Sequence, residues 1–380
     1  MSILAFSDIH LGDKSNSVQG KDGLSTTERE ARIAMEAVYE RAKQSDIDLL
    51  ICCGDIYHTS HPTAKNIEYL IDWLHRVDAL GKAFYIITGN HDSGVYSNSI
   101  LFVKQLRLKH TFLIDTILEA APYVLWNTWS IYFVPFISSS IAKDKTGPIY
   151  QHVKNTLADC KECSIIVTHV YDSDVAVGSE ATMIARFTET IDFDAFSKKD
   201  IIMLLGHAHR NQTYTKKSGI TICYPGSLYY ANKDDANQSK GYTVITPDGS
   251  IYFEPIAGLR VFASYTIPEG QDAVEFINNN RIGQNKTVFL TVTQKDRINE
   301  TALREALNSR GCTLGNVKYR TPDSAVVSIS IDIEDKDHYT VLSNYLKNYL
   351  EKSENQYKYD KIFHKGKEYL EQCAIKGIEG

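Results

Sequence analysis

No apolar run in this 380-residue chain approaches the roughly 18 residues of a membrane-spanning helix. The stretch Ser2-Ile3-Leu4-Ala5-Phe6 is too short for a secretory signal and lacks its basic flank. No membrane association is therefore expected, and the expected location is the cytoplasm. Positive charge is in deficit, with 41 Lys plus Arg against 47 Asp plus Glu and a formal charge of −6. That balance argues against a protein that coats nucleic acid by bulk electrostatics. It does not exclude a phosphodiester substrate, because bound cations add local positive charge that the residue count omits. A disulfide framework is missing as well. The seven cysteines (Cys52, Cys53, Cys160, Cys163, Cys223, Cys312 and Cys373) are odd in number and scattered, which fits a reducing compartment. Only Cys160-Lys-Glu-Cys163 has a metal-like spacing, and no second pair completes a zinc site. Internal repeats and low-complexity tracts are absent, which leaves ordinary globular domains, two or three at this length. A hydrophobic content of 43% is enough to bury real cores.

What is present is an alternation of short apolar runs and amphipathic helices. Residues 3–7 and Leu49–Cys53 read as strands, as does Ala83–Ile87. A helix is expected from Thr26 to about Lys43, with Ala31, Ala34, Met35 and Val38 on its apolar side. Another starts at Pro62-Thr63 and carries Ile67, Leu70, Ile71, Leu74 and Val77. Strand, helix, strand, helix, strand predicts βαβ units and a parallel sheet. After a helix expected around Ser97–Leu108, the chain becomes strand-rich. Runs at Tyr123–Trp126, Ser130–Pro135, Ile165–Thr168, Ile201–Leu205, Ile220–Tyr224, Tyr242–Thr246 and Ile251–Glu254 suffice for two packed sheets flanked by helices. Asp248-Gly249 is the hairpin turn between the last two. From 258 to 333 the pattern is strand, helix, strand, helix and two further strand-like runs, with no ligand-type residues after the strands. It is read as a separate, non-catalytic α+β domain following a first domain of residues 1–257. A charged linker (Asp332–Asp337) and two helices, Tyr339–Lys352 and Asp360–Cys373, complete residues 334–380.

The chemistry sits where apolar runs stop. Asp8 and His10 follow the first, Asp55 and His58 the second, and Asn90 and His91 the third. His169 ends a later run, and Gly206-His207-Ala208-His209 ends another. Each cluster alone could be a cap, a turn or a satisfied core histidine. Alternate histidines on an extended segment do point the same way. Five accidents falling in one order at strand ends are much harder to accept, because ligands in open parallel sheets gather beyond the carboxyl ends of the strands. Carboxylates, an amide oxygen and imidazoles suit two divalent ions of the Mn, Fe or Zn type rather than Ca. A carboxylate shared by both ions gives the geometry of in-line displacement at phosphorus. A histidine left outside the ligand set can protonate the leaving alkoxide.

The order Asp-x-His, Gly-Asp, Gly-Asn-His-Asp, His, Gly-His-x-His resembles the signature of the calcineurin-like metallophosphoesterases over roughly the first 255 residues. The resemblance implies Asp8, His10, Asp55 and His209 as ligands of a first metal and Asp55, Asn90, His169 and His207 as ligands of a second. It makes Asp55 the bridge and His91 the catalytic histidine. Three features are similar to the SbcD-type nucleases of double-strand-break repair and the recombination nucleases of large phages. Gly54-Asp55-Ile56-Tyr57-His58 followed by Pro62 matches that branch's Gly-Asp-hydrophobic-aromatic-His, which implies that His58 assists catalysis on DNA. Tyr224-Pro225-Gly226-Ser227 with Lys240-Gly241 matches its Pro-Gly-Ser and Lys-Gly segments, and the tail matches its capping domain, linker and helix-loop-helix. Departures are Ile9 where relatives carry Trp or Leu, Tyr57 for Phe, and Thr168 where Gly often precedes the histidine.

The resemblance implies a Mn²⁺-dependent double-strand exonuclease and single-strand endonuclease acting on DNA ends. It further implies a bacterial or phage-infected cell, an SMC-like SbcC-type ATPase partner held by the C-terminal helices, and a homodimer built on the helices at Thr63–Leu80 and Ser97–Leu108. Two rivals remain at this point. One is a phosphoesterase for small phosphoesters or phosphoproteins with no DNA role. The other is a metal-bound scaffold without activity, against which the complete ligand set counts.

Overall fold

The computed structural model describes residues 1–13, 19–93, 98–115, 121–136, 148–175, 190–196, 200–231, 233–280, 282–293 and 298–320. Two six-stranded sheets stack face to face. The first contains β1 (Ser2–Phe6), β2 (Ile47–Cys52), β3 (Ala83–Ile87), β4 (Thr111–Ile114), β13 (Gly241–Ile245) and β14 (Ile251–Pro255), in the order β14-β13-β1-β2-β3-β4. The second contains β5 (Tyr123–Trp126), β6 (Trp129–Val134), β7 (Ser164–His169), β10 (Ile201–Gly206), β11 (Gln212–Thr215) and β12 (Thr221–Tyr224), in the order β11-β12-β10-β7-β6-β5. Between them in the chain, β8 (Tyr171–Asp172) and β9 (Thr190–Ile191) form a short parallel pair. The strands carrying candidate ligands, β1 to β3 in one sheet and β7 and β10 in the other, run parallel to one another within their sheets. The expected two-sheet sandwich flanked by helices is what forms.

Burial on both faces explains the near-continuous apolar runs. Ile3 and Ala5 of β1, with Leu49 and Ile51 of β2, meet Ile165 and Val167 of β7 and Ile202 and Leu204 of β10 between the sheets. The alternate residues Leu4, Phe6, Leu50 and Cys52 face helices α1 (Thr26–Ala42) and α2 (Ala64–Asp78). Helix α1 starts where the sequence predicts, because Ser25 and Glu28 form a capping box: the Ser25 side chain accepts from the Glu28 N–H and Glu28 accepts from the Ser25 N–H. Thr63 caps α2 by accepting from the Asn66 N–H. The outer face of the second sheet is covered by α3 (Pro148–Asp159) through Ile149, Val153 and Leu157.

The α-helix expected around Ser97–Leu108 is instead a 3-10 turn over Leu101–Leu106, followed by β4 paired with β3. Local polar groups redirect the backbone there. Asn98 accepts from the Ile100 N–H, Ser99 donates to the Asp92 carbonyl, and the turn ends at Arg107 in a left-handed conformation.

Beyond Gly258, β15 (Val261–Ile267), β16 (Lys286–Thr293) and β17 (Thr313–Arg320) form a parallel sheet, crossed by α4 (Ala273–Asn279) and α5 (Glu300–Asn308). One face packs on these helices. Phe262 and Phe289 join the α1/α2 core cluster of the first sheet. The expected strand at Ala325–Ile331, the linker and the two C-terminal helices lie outside the described residues.

Candidate metal centre

Where the parallel strands end, the loops of both sheets are stitched together. Asp8 and His10 donate their N–H groups to the carbonyls of Gly54 and Asp55, at 3.1 and 3.0 Å, so the first two loops zip past the sheet. Thr88 exchanges hydrogen bonds with Phe136, which ties the loop after β3 to the one after β6. The His207 N–H donates to both oxygens of Asp8 at 3.2 Å, joining the two sheets directly. Close approach demands glycine at two of these ends. A Cβ on Gly89 would stand 2.1 Å from Asp55 Oδ1, and one on Gly206 would stand 2.2 Å from the Cys53 carbonyl oxygen. Asp8, His10, Asp55 and His207 all adopt positive φ, at 51°, 45°, 54° and 90°. Such strain costs on the order of 1–3 kcal/mol per residue and is typical of functional sites.

Three groups of metal-capable side chains result: Asp8, His10 and His209; Asp55, His169 and His207; and His10, His58 and His91, the first and last sharing His10. Within each, the ligand atoms lie no more than 4.8 Å apart. His10 Nε2 faces His209 Nε2 at 3.0 Å and lies 3.9 Å from Asp8 Oδ1. His169 Nε2 faces Asn90 Oδ1 at 2.9 Å and Asp55 Oδ2 at 3.2 Å. Asp55 Oδ2 is also 3.8 Å from His10 Nε2, so a single carboxylate oxygen looks toward both groups. His169 Nδ1 donates to the Cys53 carbonyl at 2.7 Å, which turns Nε2 inward. His91 Nδ1 donates to the His58 carbonyl at 2.7 Å, and the two rings lie 5.4 Å apart. Every site residue expected from the sequence is thus brought to one place.

The donor set fits divalent cations. Asp8 and Asp55 are buried, and among the described residues their ion-pair contacts are with histidines rather than Lys or Arg. Buried carboxylates of this kind require a counter-charge. The buried groups differ in how burial and their neighbours shift them. Burial pushes Asp8 above the usual carboxylate range. In Asp55 the same desolvation is outweighed by His169, with its hydrogen bond, and by His10 and His91, so its carboxyl is held well below that range. Burial disfavours the His169 cation too, but Asp55 overrides it and raises His169 to about 9. Burial drives His10 and His207 well below the ordinary imidazole value, leaving neutral nitrogens of the kind that bind metal.

The profile of the calcineurin-like phosphoesterase superfamily domain matches residues 1–248. The chain belongs to this superfamily. Over 394 aligned residues this phosphoesterase is 24% identical to the SbcD subunit of the nuclease SbcCD from Staphylococcus epidermidis, covering 96% of the chain and 97% of that protein. The protein of the same name from Staphylococcus saprophyticus is 25% identical over 292 residues, 72% of this chain and 74% of its own. Among solved structures, a dimetal phosphatase from Danio rerio superimposes with a TM-score of 0.38 at 9% identity, covering 64% of this chain and 91% of that one.

Several residues of the phosphoesterase site were not assigned a role from the sequence. Asp92, fully buried, accepts N–H bonds from Ile56, Tyr57 and Gly89 and so clamps the second strand-end loop to the third. Burial, with Asp55 nearby, pushes its carboxyl up to about 7. Its place in Gly-Asn-His-Asp was the available signal. Asp13 lies 3.8 Å from His58 Nε2, and the Tyr171 ring lies tilted against that of His207 with centroids 3.9 Å apart. No spacing rule marks either. Cys160 and Cys163 join no group of three metal-capable side chains among the described residues, and Cys160 Sγ donates to the Leu157 carbonyl. No helix among the described residues is long and apolar enough to cross a membrane.

Proposed function

We propose that this metal-dependent phosphoesterase is a DNA nuclease subunit that hydrolyses phosphodiester bonds at DNA ends, in recombination and repair, together with an SMC-like ATPase. The observation that carries this reading is the end-to-end correspondence with a staphylococcal nuclease subunit, which takes in the tail as well as the catalytic domain. The placement of His58 beside His10 and His91 supports it, with ring centroids 5.5 and 5.4 Å away.

In this reading Asp8, His10, Asp55 and His209 hold one divalent cation, and Asp55, Asn90, His169 and His207 hold the other, with Mn²⁺ the cation expected. When bound, the pair supplies Lewis-acid neutralisation of the phosphate and an acidified water as nucleophile. The protein's own part is orientation and proton transfer. The His91 N–H fixes Asp55 Oδ1 at 2.8 Å and turns Oδ2 toward both ligand groups. The His91 ring, held by its Nδ1 bond to the His58 carbonyl, delivers a proton to the leaving alkoxide. His58, with its side chain 39% exposed, contacts the incoming strand at the mouth of the site. The net charge of −6 is consistent with a partner supplying much of the phosphate-contacting surface.

The test is cleavage by the purified chain in Mn²⁺ of end-labelled duplex DNA and of a chromogenic phosphodiester, with and without the ATPase. Degradation from the ends supports the nuclease. Turnover of the small ester alone, even with the ATPase present, would leave a phosphoesterase with no DNA role.

A further inference from the structure

Away from the strand ends, a single segment, residues 225–241, grips the main chain of two of the histidines. Tyr229, fully buried, donates its hydroxyl to the His10 carbonyl at 3.1 Å. Lys240, 2% exposed, donates to the His209 carbonyl at 2.9 Å, to Ser227 Oγ at 2.8 Å and to Asp235 Oδ1 at 2.6 Å. Gly226, at φ 78°, allows this approach, since a Cβ there would stand 2.8 Å from the His209 carbonyl oxygen. Asp235 is equally buried and accepts the Ala231 N–H at 2.9 Å. Its Oδ1 lies 3.9 Å from His209 Nδ1, the ring nitrogen opposite the Nε2 that faces His10.

A buried ammonium is tolerated only where acceptors surround it. Here those acceptors include the backbone of a candidate ligand, a hydroxyl, and a carboxylate set behind that ligand's outer nitrogen. A carboxylate bonded to the outer nitrogen orients a metal-binding imidazole and raises its basicity; Asp235 Oδ1, at 3.9 Å, stands at ion-pair rather than hydrogen-bond distance from that nitrogen. The loop bearing the pair is itself fastened to the third sheet. Between Asp235 and Lys240, Asn237 donates its backbone N–H to the Phe262 carbonyl at 3.0 Å and its side-chain amide to the Ser264 carbonyl at 3.2 Å. Asn237 Oδ1 in turn accepts the Ser264 N–H at 3.3 Å.

We propose that Asp235 and Lys240 are positioning residues for His209 as a metal ligand, and that Asn237 anchors them on β15, so the small C-terminal sheet helps set metal affinity. The proposal rests on the two-cation reading of the site.

The experiment is a Mn²⁺ titration of the full chain followed by electron paramagnetic resonance, which counts free ion and gives both binding constants. Wild type is expected to bind two ions. Asp235→Asn is expected to weaken one of them by about 10- to 100-fold and spare the other. Asn237→Gly removes only an exposed side chain and keeps the left-handed backbone at φ 62°. It is expected to weaken the same ion by about threefold, the worth of a modest hydrogen bond, with an unchanged far-UV spectrum. Unchanged constants in Asn237→Gly, or in folded Asp235→Asn, overturn the proposal while the metal centre stands. A wild type that binds no Mn²⁺ overturns the two-cation reading and the proposal with it.

Discussion

The backbone N–H of His91 donates to Oδ1 of Asp55 at 2.8 Å, across the ends of two adjacent parallel strands. One oxygen of the carboxylate is thereby committed to the main chain. The other, Oδ2, lies 3.2 Å from His169 and 3.8 Å from His10. The third strand-end loop thus aims Asp55 with its backbone and offers the His91 ring to the site with its side chain. Substitutions at the two residues are expected to separate these contributions.

His91→Asn leaves the backbone bond to Asp55 intact and removes only the imidazole. Both Mn²⁺ ions are expected to remain while cleavage falls by about 10²- to 10⁴-fold, the usual worth of a positioned proton donor. Metal analysis after gel filtration, alongside cleavage rates, checks this. Loss of an ion in the variant would make His91 a ligand.

Asp55→Asn should act the other way, because Asp55 Oδ2 lies near both His169 and His10, one histidine from each proposed cation site. Metal affinity is expected to fall by at least the roughly 100-fold that losing a mere supporting partner costs, and activity with it. A metal content equal to wild type would refute the bridging role.

Gly206→Ala tests the stitching of the two sheets. The new methyl would stand 2.2 Å from the Cys53 carbonyl oxygen and 2.5 Å from His169 Nδ1. Neither backbone nor a buried ring can yield easily, so a stability loss of about 1–3 kcal/mol is expected. Denaturant unfolding measures it, and an unchanged midpoint would contradict the close approach.

Glu30 offers a pH-dependent prediction away from the site. Burial raises its carboxyl above the ordinary 4.5, although the Arg260 N–H donates to it. The folded state therefore binds this proton more tightly than the unfolded chain, and stability drains away as pH rises from 4.5 through the folded value. Glu30→Gln keeps an acceptor for the Arg260 N–H without the buried charge. It should raise the melting temperature at pH 7, and the advantage should vanish once the pH is well below the ordinary carboxylate value. A variant less stable than wild type at pH 7 would mean that attraction to Arg260 outweighs burial.

Residues 338–380 carry the Tyr/Leu pattern read as the ATPase-docking helices (Leu342, Tyr345, Leu346, Tyr349, Leu350). Deleting them should abolish co-purification with the ATPase while the remaining chain still cleaves a chromogenic phosphodiester. Retained co-purification would place the docking surface elsewhere.

Most of the elements, and the residues gathered at the strand ends, can be read from the chain alone. Parallel strands buried on both faces must be apolar throughout, so the first polar residues after each run announce a strand end, and such ends converge. Asp8, Asp55, Asn90, His169 and His207 were legible for that reason. So was the Asp248-Gly249 turn, whose signal is local; the Ser25/Glu28 capping box has an equally local signal but was not singled out. Helix α3 was missed, although the spacing of Ile149, Val153 and Leu157 carries its signal. The short edge strand β11, Gln212–Thr215, carries too little apolar residue to register.

Which side chains stand behind the strand-end cluster is a matter of tertiary packing. Tyr171 reaches His207 across 36 residues, and Lys240 reaches His209 across 31. The Asp55–His91 bond spans 36 residues and exists only because β2 and β3 pair in register. These contacts depend on sheet closure and on buried groups finding partners there. No local period in the chain records either.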